Sequence, residues 1–281
     1  MFSELAELFK YRDLLIQLVA RDLKVRYKNS VLGFFWSLIN PLVQVATITI
    51  VFKYVMPIGI PNYSAYLLVA YLPWMFFQMS LLDASQSVLS HYDLLKKVYF
   101  PREVLPLSMV IANMIHFLLA IVVFFVYLLV IGAPIVSTWW LLPVLVIIEF
   151  LLVTGLAFIV SALNVFYADI KYIVSVLLNI FFYLTPIIYM SEMVYTRLQA
   201  MGYGALYTLY QLSPLNAIVM AFREALLPPY GVPPGKTMPF AFHDMPLDYR
   251  FLAIAAAVSI IVFIAGYSFF NSRKWSFAEQ L

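Results

Sequence analysis

The sequence predicts an all-α integral membrane protein, because its composition is strongly apolar and the apolar residues fall into six long runs. Hydrophobic residues fill 64% of the 281 positions, charged residues only 11%, and the mean hydropathy is +0.94. A soluble domain carries about 25% charged residues, since water must wet its surface. The composition therefore excludes a water-soluble domain. The absence of cysteine excludes disulfides and thiolate chemistry.

The six apolar runs predict six transmembrane helices, since about 20 apolar residues cross a hydrocarbon core of about 30 Å. We place them at 31–56, 65–88, 104–131, 139–165, 172–190 and 250–270. Asn40 and Pro41 interrupt the first span and are expected to kink it or to open its hydrogen-bond ladder. The chain then divides into an interfacial segment, 1–30, and a permease domain, 31–281.

The N-terminal segment predicts an amphipathic helix over 4–29 that lies in the membrane interface. Its polar stripe holds Asp13, Gln17, Arg21, Lys24 and Lys28. Its apolar side holds Leu5, Leu8, Phe9, Leu15, Ile16, Val19 and Leu23. Arg12 and Arg26 break the apolar side, so each is expected to snorkel or to meet a partner.

Lysine and arginine cluster in alternate loops, which predicts the orientation. The loops near 57–64 and 132–138 carry neither residue. The cations fall in the N-terminal segment, the second and fourth loops and the C-terminus, including Lys96, Lys97, Arg102, Lys171, Arg273 and Lys274. The positive-inside rule therefore predicts a multi-pass protein of the plasma membrane with both termini in the cytoplasm.

The fifth loop, 191–249, is predicted to be external and unusually long. It contains two apolar pieces, about 198–212 and 215–227, separated by Ser213 and Pro214. Both pieces are too short to span, so short re-entrant or interfacial helices are expected. The prolines that follow predict an irregular surface loop over 228–248.

Enzyme motifs are nearly absent, and no catalytic residue or metal site is predicted. The segment from Tyr230 to Thr237 imitates a phosphate-binding loop, but only three residues separate its glycines where four are needed. Its prolines also lack the backbone N–H groups with which such a loop binds phosphate. The three histidines have no metal-ligand spacing.

Two polar residues are expected inside the spans. Glu149 lies about ten residues into the fourth span, roughly 15 Å deep at 1.5 Å per residue. An ionised group at that depth needs a partner or a wet cavity. His116 lies at a similar depth, so a Glu149–His116 contact is a hypothesis. A proton relay and a structural contact are the two interpretations, and the structural one is favoured.

The loop from His91 to Glu103 mixes apolar side chains with Lys96, Lys97 and Arg102. A short helix that stops before Pro101 could insert into a groove on a cytoplasmic partner. An amphipathic turn resting on anionic lipid is the other interpretation.

Five blocks in order resemble the ABC-2 type polysaccharide export permeases. They are RDLKVRYKNSVLGFFWSLINP (21–41), KVYFPREVLP (97–106), LNVFYADIK (163–171), TPIIY (185–189) and PLNAIVMAFR (214–223). The chain departs from the family pattern at Ala168, where arginine is frequent, and at Ser213, where asparagine is common.

The resemblance implies a homodimer paired with two copies of a separate ATPase that binds ATP and Mg, with no cofactor in this chain and no nucleic acid as partner. It implies that the loop is a coupling helix, formed by Asp93, Leu94, Leu95, Lys96, Lys97, Val98, Tyr99, Phe100, Pro101 and Arg102. The cytoplasmic interface would hold Arg12, Arg21, Lys24, Arg26, Lys28, Asp169 and Lys171.

The resemblance also implies a lipid-linked polysaccharide as substrate, and the tail from Arg273 to Glu279 favours wall teichoic acid over O-antigen. Aromatic rings suit a sliding glycan chain, so pathway candidates are Phe35, Trp36, Phe76, Phe77, Phe181 and Tyr183. Two alternatives remain: an ion-coupled secondary transporter, which needs more intramembrane charge, and a membrane-embedded glycan transferase, which needs clustered carboxylates.

Overall fold

The computed structural model describes residues 10–26, 28, 36–55, 60, 62–134, 136–228 and 248–277. Within these ranges the protein is helical and contains no strand. The helices are α1 Arg12–Arg26, α2 Trp36–Ile50, α3 Tyr63–Ser90, α4 Tyr92–Lys97, α5 Val104–Val130, α6 Leu142–Phe166, α7 Ile170–Leu184, α8 Ser191–Ala200, α9 Gly204–Gln211, α10 Pro214–Leu226 and α11 Tyr249–Arg273. A π-helical turn, Val51–Val55, extends α2, and 3₁₀ turns precede α6 and follow α11.

Among the described residues, four helices are long and apolar enough to cross a membrane, and they coincide with four of the predicted spans. They are Tyr63–Ser90, Val104–Val130, Ser137–Phe166 and Tyr249–Ser276. The other two predicted spans correspond to shorter apolar helices, Ile39–Val55 and Ile170–Leu184. The fifth ends early because Thr185 is followed by Pro186, which cannot continue the helical hydrogen-bond ladder.

Helix α3 is the centre of the bundle. In its most apolar window 78% of residues are buried, against 28% in α11, so α3 is surrounded by protein while α11 lies at the periphery. The helix packs against α2, α5, α6, α7 and α10. Pro41 lies within α2 without ending it, and the irregular hydrogen bonding occurs later, in the π-turn.

Helix α6 crosses α11 at two glycines. A Cβ atom placed on Gly266 would lie 2.1 Å from the carbonyl oxygen of Gly155, and one on Gly155 would lie 2.5 Å from the Val262 carbonyl oxygen. The two backbones therefore touch, in the manner of small-residue crossings in membranes.

The described part of the segment between α7 and α11 contains three short helices, where two were predicted. The first predicted piece is divided by a turn at Gly202, whose φ of +78° favours glycine. The second piece is a single helix, α10, which is largely buried against α3, α6 and α11. Most of the loop predicted over 228–248 lies outside the described residues.

The two ends of the bundle differ in charge. The basic end carries α1, α4, the start of α5 and α7, and the end of α11, with Lys96, Lys97, Arg102, Lys171 and Arg273 among its cations. The opposite end carries the starts of α3, α6 and α11 and the helices α8 to α10.

Candidate functional site

The loop at the basic end begins with the short helix α4, as predicted, and continues as extended chain. The buried imidazole of His91 fixes the start of the loop. Its Nδ1 donates to the Ser87 carbonyl oxygen at 2.7 Å, and its Nε2 accepts a hydrogen bond from the Arg21 guanidinium. Burial lowers the pKa of His91, and the charge of Arg21 lowers it further. A neutral imidazole is the form that fits this pair of contacts.

The far end of the loop is anchored to the C-terminal end of α11. Glu103 is 1% exposed and forms an ion pair with Lys274 at 3.3 Å. The guanidinium of Arg102 donates to the Lys274 carbonyl oxygen. Phe100 is also buried, in a cluster with Phe270 and Phe277. These contacts, all made within the chain, fix the position of the end of the loop, where it leads into α5.

Between these anchors the loop presents an exposed strip, Lys96 to Tyr99. Tyr99 is 72% exposed and Val98 is 52% exposed. Lys96 lies over the Tyr92 ring, 3.9 Å from its centroid. The strip borders a cavity of about 230 Å³. It therefore combines two cations with two uncovered apolar side chains, which suits contact with another protein.

The predicted coupling residues consequently divide into two groups. The backbone of Asp93 lies in α4, and Leu94 and Leu95 are partly buried against the α1 and α5 side of the bundle. Phe100 and Pro101 are buried within the chain, and the role of Phe100 in coupling stays a prediction. An extended segment turns alternate side chains in opposite directions, which places Tyr99 outward and Phe100 inward.

The predicted interface residues lie at the basic end. Arg12, Arg21 and Lys24 on α1 are exposed, as is Lys28 after it. The chain between α6 and α7 also reaches this surface, where Asp169 is exposed and Lys171 is partly buried. On the predicted apolar side of α1, Val19 is buried but Ile16 is 63% exposed.

Arg26 meets a partner, as its position on α1 predicted. Its guanidinium donates to the Asp83 carboxylate at 2.5 Å and to Asn113 Oδ1 at 2.8 Å. The Asn113 amide in turn donates to the same Asp83 oxygen at 2.9 Å. This triad ties α1 to α3 and α5. Sequence reasoning missed Asp83, although a carboxylate within an apolar span is itself a signal.

Glu149 and His116 do not pair. Glu149 is fully buried in α6, and neither carboxylate oxygen has a hydrogen-bond partner. His116 instead lies in the electrostatic range of Arg26 and Asp83. The predicted Glu149–His116 contact is therefore wrong. A proton relay through Glu149 would need a neighbouring polar atom to receive the proton, and the described residues supply none.

The aromatic pathway candidates also divide. Trp36, Phe181 and Tyr183 are 50%, 44% and 69% exposed. Phe76 and Phe77 are 3% and 5% exposed, so both are buried within this chain, and their role in a pathway stays a prediction. Phe76 instead stacks on Phe117 in the core, with ring centroids 5.2 Å apart. Phe35 lies outside the described residues.

At the opposite end, a buried arginine holds the non-helical turn that follows α7. Arg223 is 6% exposed and donates to the carbonyl oxygens of Ile187 at 2.5 Å and Tyr189 at 3.4 Å. Its guanidinium lies 3.7 Å from the Tyr66 ring centroid. Tyr63 completes the clamp by donating to the Ile188 carbonyl oxygen. The contacts of Arg223 are thus with backbone carbonyl oxygens and an aromatic ring, and they stabilise the turn.

The described residues contain no group of three or more His, Cys, Asp or Glu able to hold a metal ion. The segment that imitates a phosphate-binding loop, Tyr230 to Thr237, lies outside them.

Comparison with known proteins agrees with the helical architecture. Residues 13–227 match the family model described as ABC-2 type transporter. The chain is 34% identical over 270 residues to an O-antigen export system permease protein RfbA of Klebsiella pneumoniae. The aligned residues cover 96% of this chain and 95% of the relative. It is 33% identical over 277 residues to a protein of the same description from Myxococcus xanthus, covering 98% of each. The chain belongs to the ABC-2 type transporter family.

Proposed function

We propose that this protein is the permease subunit of an ABC exporter that moves lipid-linked O-antigen polysaccharide across the cytoplasmic membrane. The observation that carries the proposal is the similarity to O-antigen export permeases over nearly the full chain. The preference for wall teichoic acid finds no support among these relatives.

The proposed topology has six spans, with the basic end in the cytoplasm. Helix α7 alone is about 22 Å long at 1.5 Å per residue, shorter than the hydrocarbon core. The clamped turn that follows it adds length, and its carbonyl oxygens accept from Arg223, Tyr63 and Tyr66. Non-helical backbone satisfied by protein in this way is tolerated at membrane depth.

Energy enters through the exposed strip Lys96 to Tyr99, on which a separate ATPase with bound ATP and Mg docks. The anchors on either side support this assignment, because a strip fixed at both ends transmits movement to α3 and α5. The buried Glu103–Lys274 pair also ties the strip to α11. A movement of the ATPase is thereby passed to three spans.

Two copies of the chain form the pathway between them. The outward faces of α2 and α7 support this, since both carry exposed aromatic rings (Trp36, Phe181 and Tyr183). Rings stack on sugars without fixing one register, so a polymer can slide past them. The lipid anchor would leave through the same seam.

Two matched alanine substitutions test the docking assignment. Tyr99→Ala removes an exposed ring and is expected to leave the permease folded while ATPase co-purification falls about tenfold or more, as for an interface hot spot. Phe100→Ala removes a buried ring and is expected to destabilise the permease by about 3–5 kcal/mol. Unchanged co-purification of Tyr99→Ala with the ATPase overturns the assignment.

Deletion of the gene tests the transport role. We expect O-antigen to disappear from the cell surface while the lipid-linked polymer accumulates on the inner leaflet. Unchanged surface O-antigen in the deletion strain overturns the proposed function.

A further inference from the structure

We propose that a cavity at the opposite end of the bundle binds a short saccharide segment of the exported polymer; the proposal rests on the proposed function. The cavity has a volume of about 600 Å³, within the range of pockets that hold small molecules. It lies between the short helices α8, α9 and α10 and the start of α11. Its lining is set apart from the exposed aromatic faces of α2 and α7.

Aromatic rings form one part of the lining. Tyr195 and Tyr207 meet edge to face, with ring centroids 5.1 Å apart and planes at 66°. Tyr249 stands at the mouth and is 57% exposed. A tyrosine offers an apolar ring face and a polar tip, and a sugar ring offers C–H faces edged by hydroxyls. The two surfaces are complementary in both respects.

Polar side chains converge from three different helices. Gln211 comes from α9, Glu224 from α10, and Asp248 and Arg250 from the start of α11. Amide and carboxylate groups together offer both donors and acceptors to hydroxyl groups. With two carboxylates and one guanidinium, the lining disfavours an anion. This charge selects the glycan rather than the phosphate that links it to lipid.

Hydrogen bonds hold the lining in place. Gln211 Nε2 donates to the Tyr207 hydroxyl oxygen at 2.8 Å. Burial raises the pKa of Tyr207 to about 12, so the hydroxyl keeps its proton at physiological pH. Asp248 Oδ1 accepts from the Arg250 amide at 2.9 Å and so caps α11. Binding then requires little ordering of side chains, which favours a preformed site.

Helix α10 makes room for the ligand with small residues. The face it turns to the cavity follows helical spacing and consists of Ala217, Met220, Ala221 and Glu224. The other side of α10 is fixed to the 3₁₀ turn that precedes α6, where Thr138 and Trp139 donate to the carbonyl oxygens of Ala225 and Leu226. On this fixed helix, the small side chains of Ala217 and Ala221 leave space between Met220 and Glu224.

Binding of a lipid-free oligosaccharide to the full chain with its ATPase, in nanodiscs, tests the proposal. The probe is the short glycan released from the cell's own O-antigen. Tyr249→Ala is expected to weaken binding by about 3- to 10-fold, the loss for one aromatic contact. Glu224→Gln is a second variant and should also weaken it. The control is Tyr203→Ala, because Tyr203 is 60% exposed but does not line the cavity.

Absence of binding to the unaltered complex, or equal loss in Tyr249→Ala and Tyr203→Ala, overturns the saccharide site. Competition of the probe by phosphatidylethanolamine would make the cavity a lipid site and would also overturn it. These failures differ from a failure of the proposed function. If only the saccharide site is wrong, gene deletion still removes surface O-antigen. If the proposed function is wrong, gene deletion leaves surface O-antigen unchanged.

Discussion

Replacing Lys274 by methionine removes the charge that neutralises Glu103 while keeping an apolar stem of similar length. The carboxylate side chain is 2% exposed and that of Lys274 is 10% exposed. The second Glu103 oxygen has no hydrogen-bond partner, so Lys274 is the group that compensates the carboxylate. Breaking a buried pair from one side costs about 3–5 kcal/mol. At the lower value this corresponds to a fall in Tm of roughly 6–12 °C.

A double-mutant cycle separates the pair from other effects of each substitution. Thermal unfolding is followed for Lys274→Met, Glu103→Gln and the combination in the same detergent. The combination removes both charges, so we expect it to recover to within about 1 kcal/mol of the unaltered protein. Lys97→Met is the control, because Lys97 is exposed in the same loop and should change stability by less than about 0.5 kcal/mol. A coupling energy below about 0.5 kcal/mol would refute the reasoning.

Three further predictions follow from other contacts. Gly266→Ala should cost about 1–3 kcal/mol, since its Cβ would meet the α6 backbone, and thermal unfolding measures it. Arg26→Met should release α1 from α3 and α5 and raise its rate of proteolysis. The folded-state pKa of His91 lies below its ordinary value of about 6.5, so the free energy of unfolding should fall as pH drops below 6.5 and stay level above it. Unfolding measured against pH tests this, and His91→Gln should flatten the dependence.

Each of these has a matched control. Gly204→Ala should be mild, because a Cβ there meets the flexible Gln199 side chain at 3.0 Å. Arg12→Met should leave proteolysis unchanged, since Arg12 is exposed and its neighbour Asp13 is exposed too. Equal effects in target and control would contradict the first two predictions. A pH dependence that survives His91→Gln would contradict the third.

The four long helices could be predicted from sequence because apolar runs of membrane-crossing length have few competing interpretations. The short helix before Pro101 was also predictable, because proline restricts the residue before it. Arg26 was predictable as a residue in need of a partner, since a cation on an apolar helix face must be compensated. Asp83, its partner, carried the same signal within its span.

It was not predictable which side chains of each helix contact lipid and which contact protein. Helix α3 is apolar nearly all round and gives no periodic signal that separates lipid from protein neighbours, so the burial of Phe76 could not be predicted from its position. Depth alone likewise suggested that Glu149 and His116 meet, but contact also depends on how each helix is rotated. Phe100 points inward because the fold provides a buried cluster with Phe270 and Phe277 for it, whereas Tyr99 points outward.

ATP-driven translocation in proteoliposomes is the most direct test of the proposed export of O-antigen. Vesicles containing this permease and its ATPase are loaded with lipid-linked O-antigen on the ATPase side, and polymer reaching the other side is measured. We expect transport that requires ATP and both proteins, and that falls with Tyr99→Ala to the rate without ATP. Transport by the permease alone, driven by an ion gradient, would contradict it.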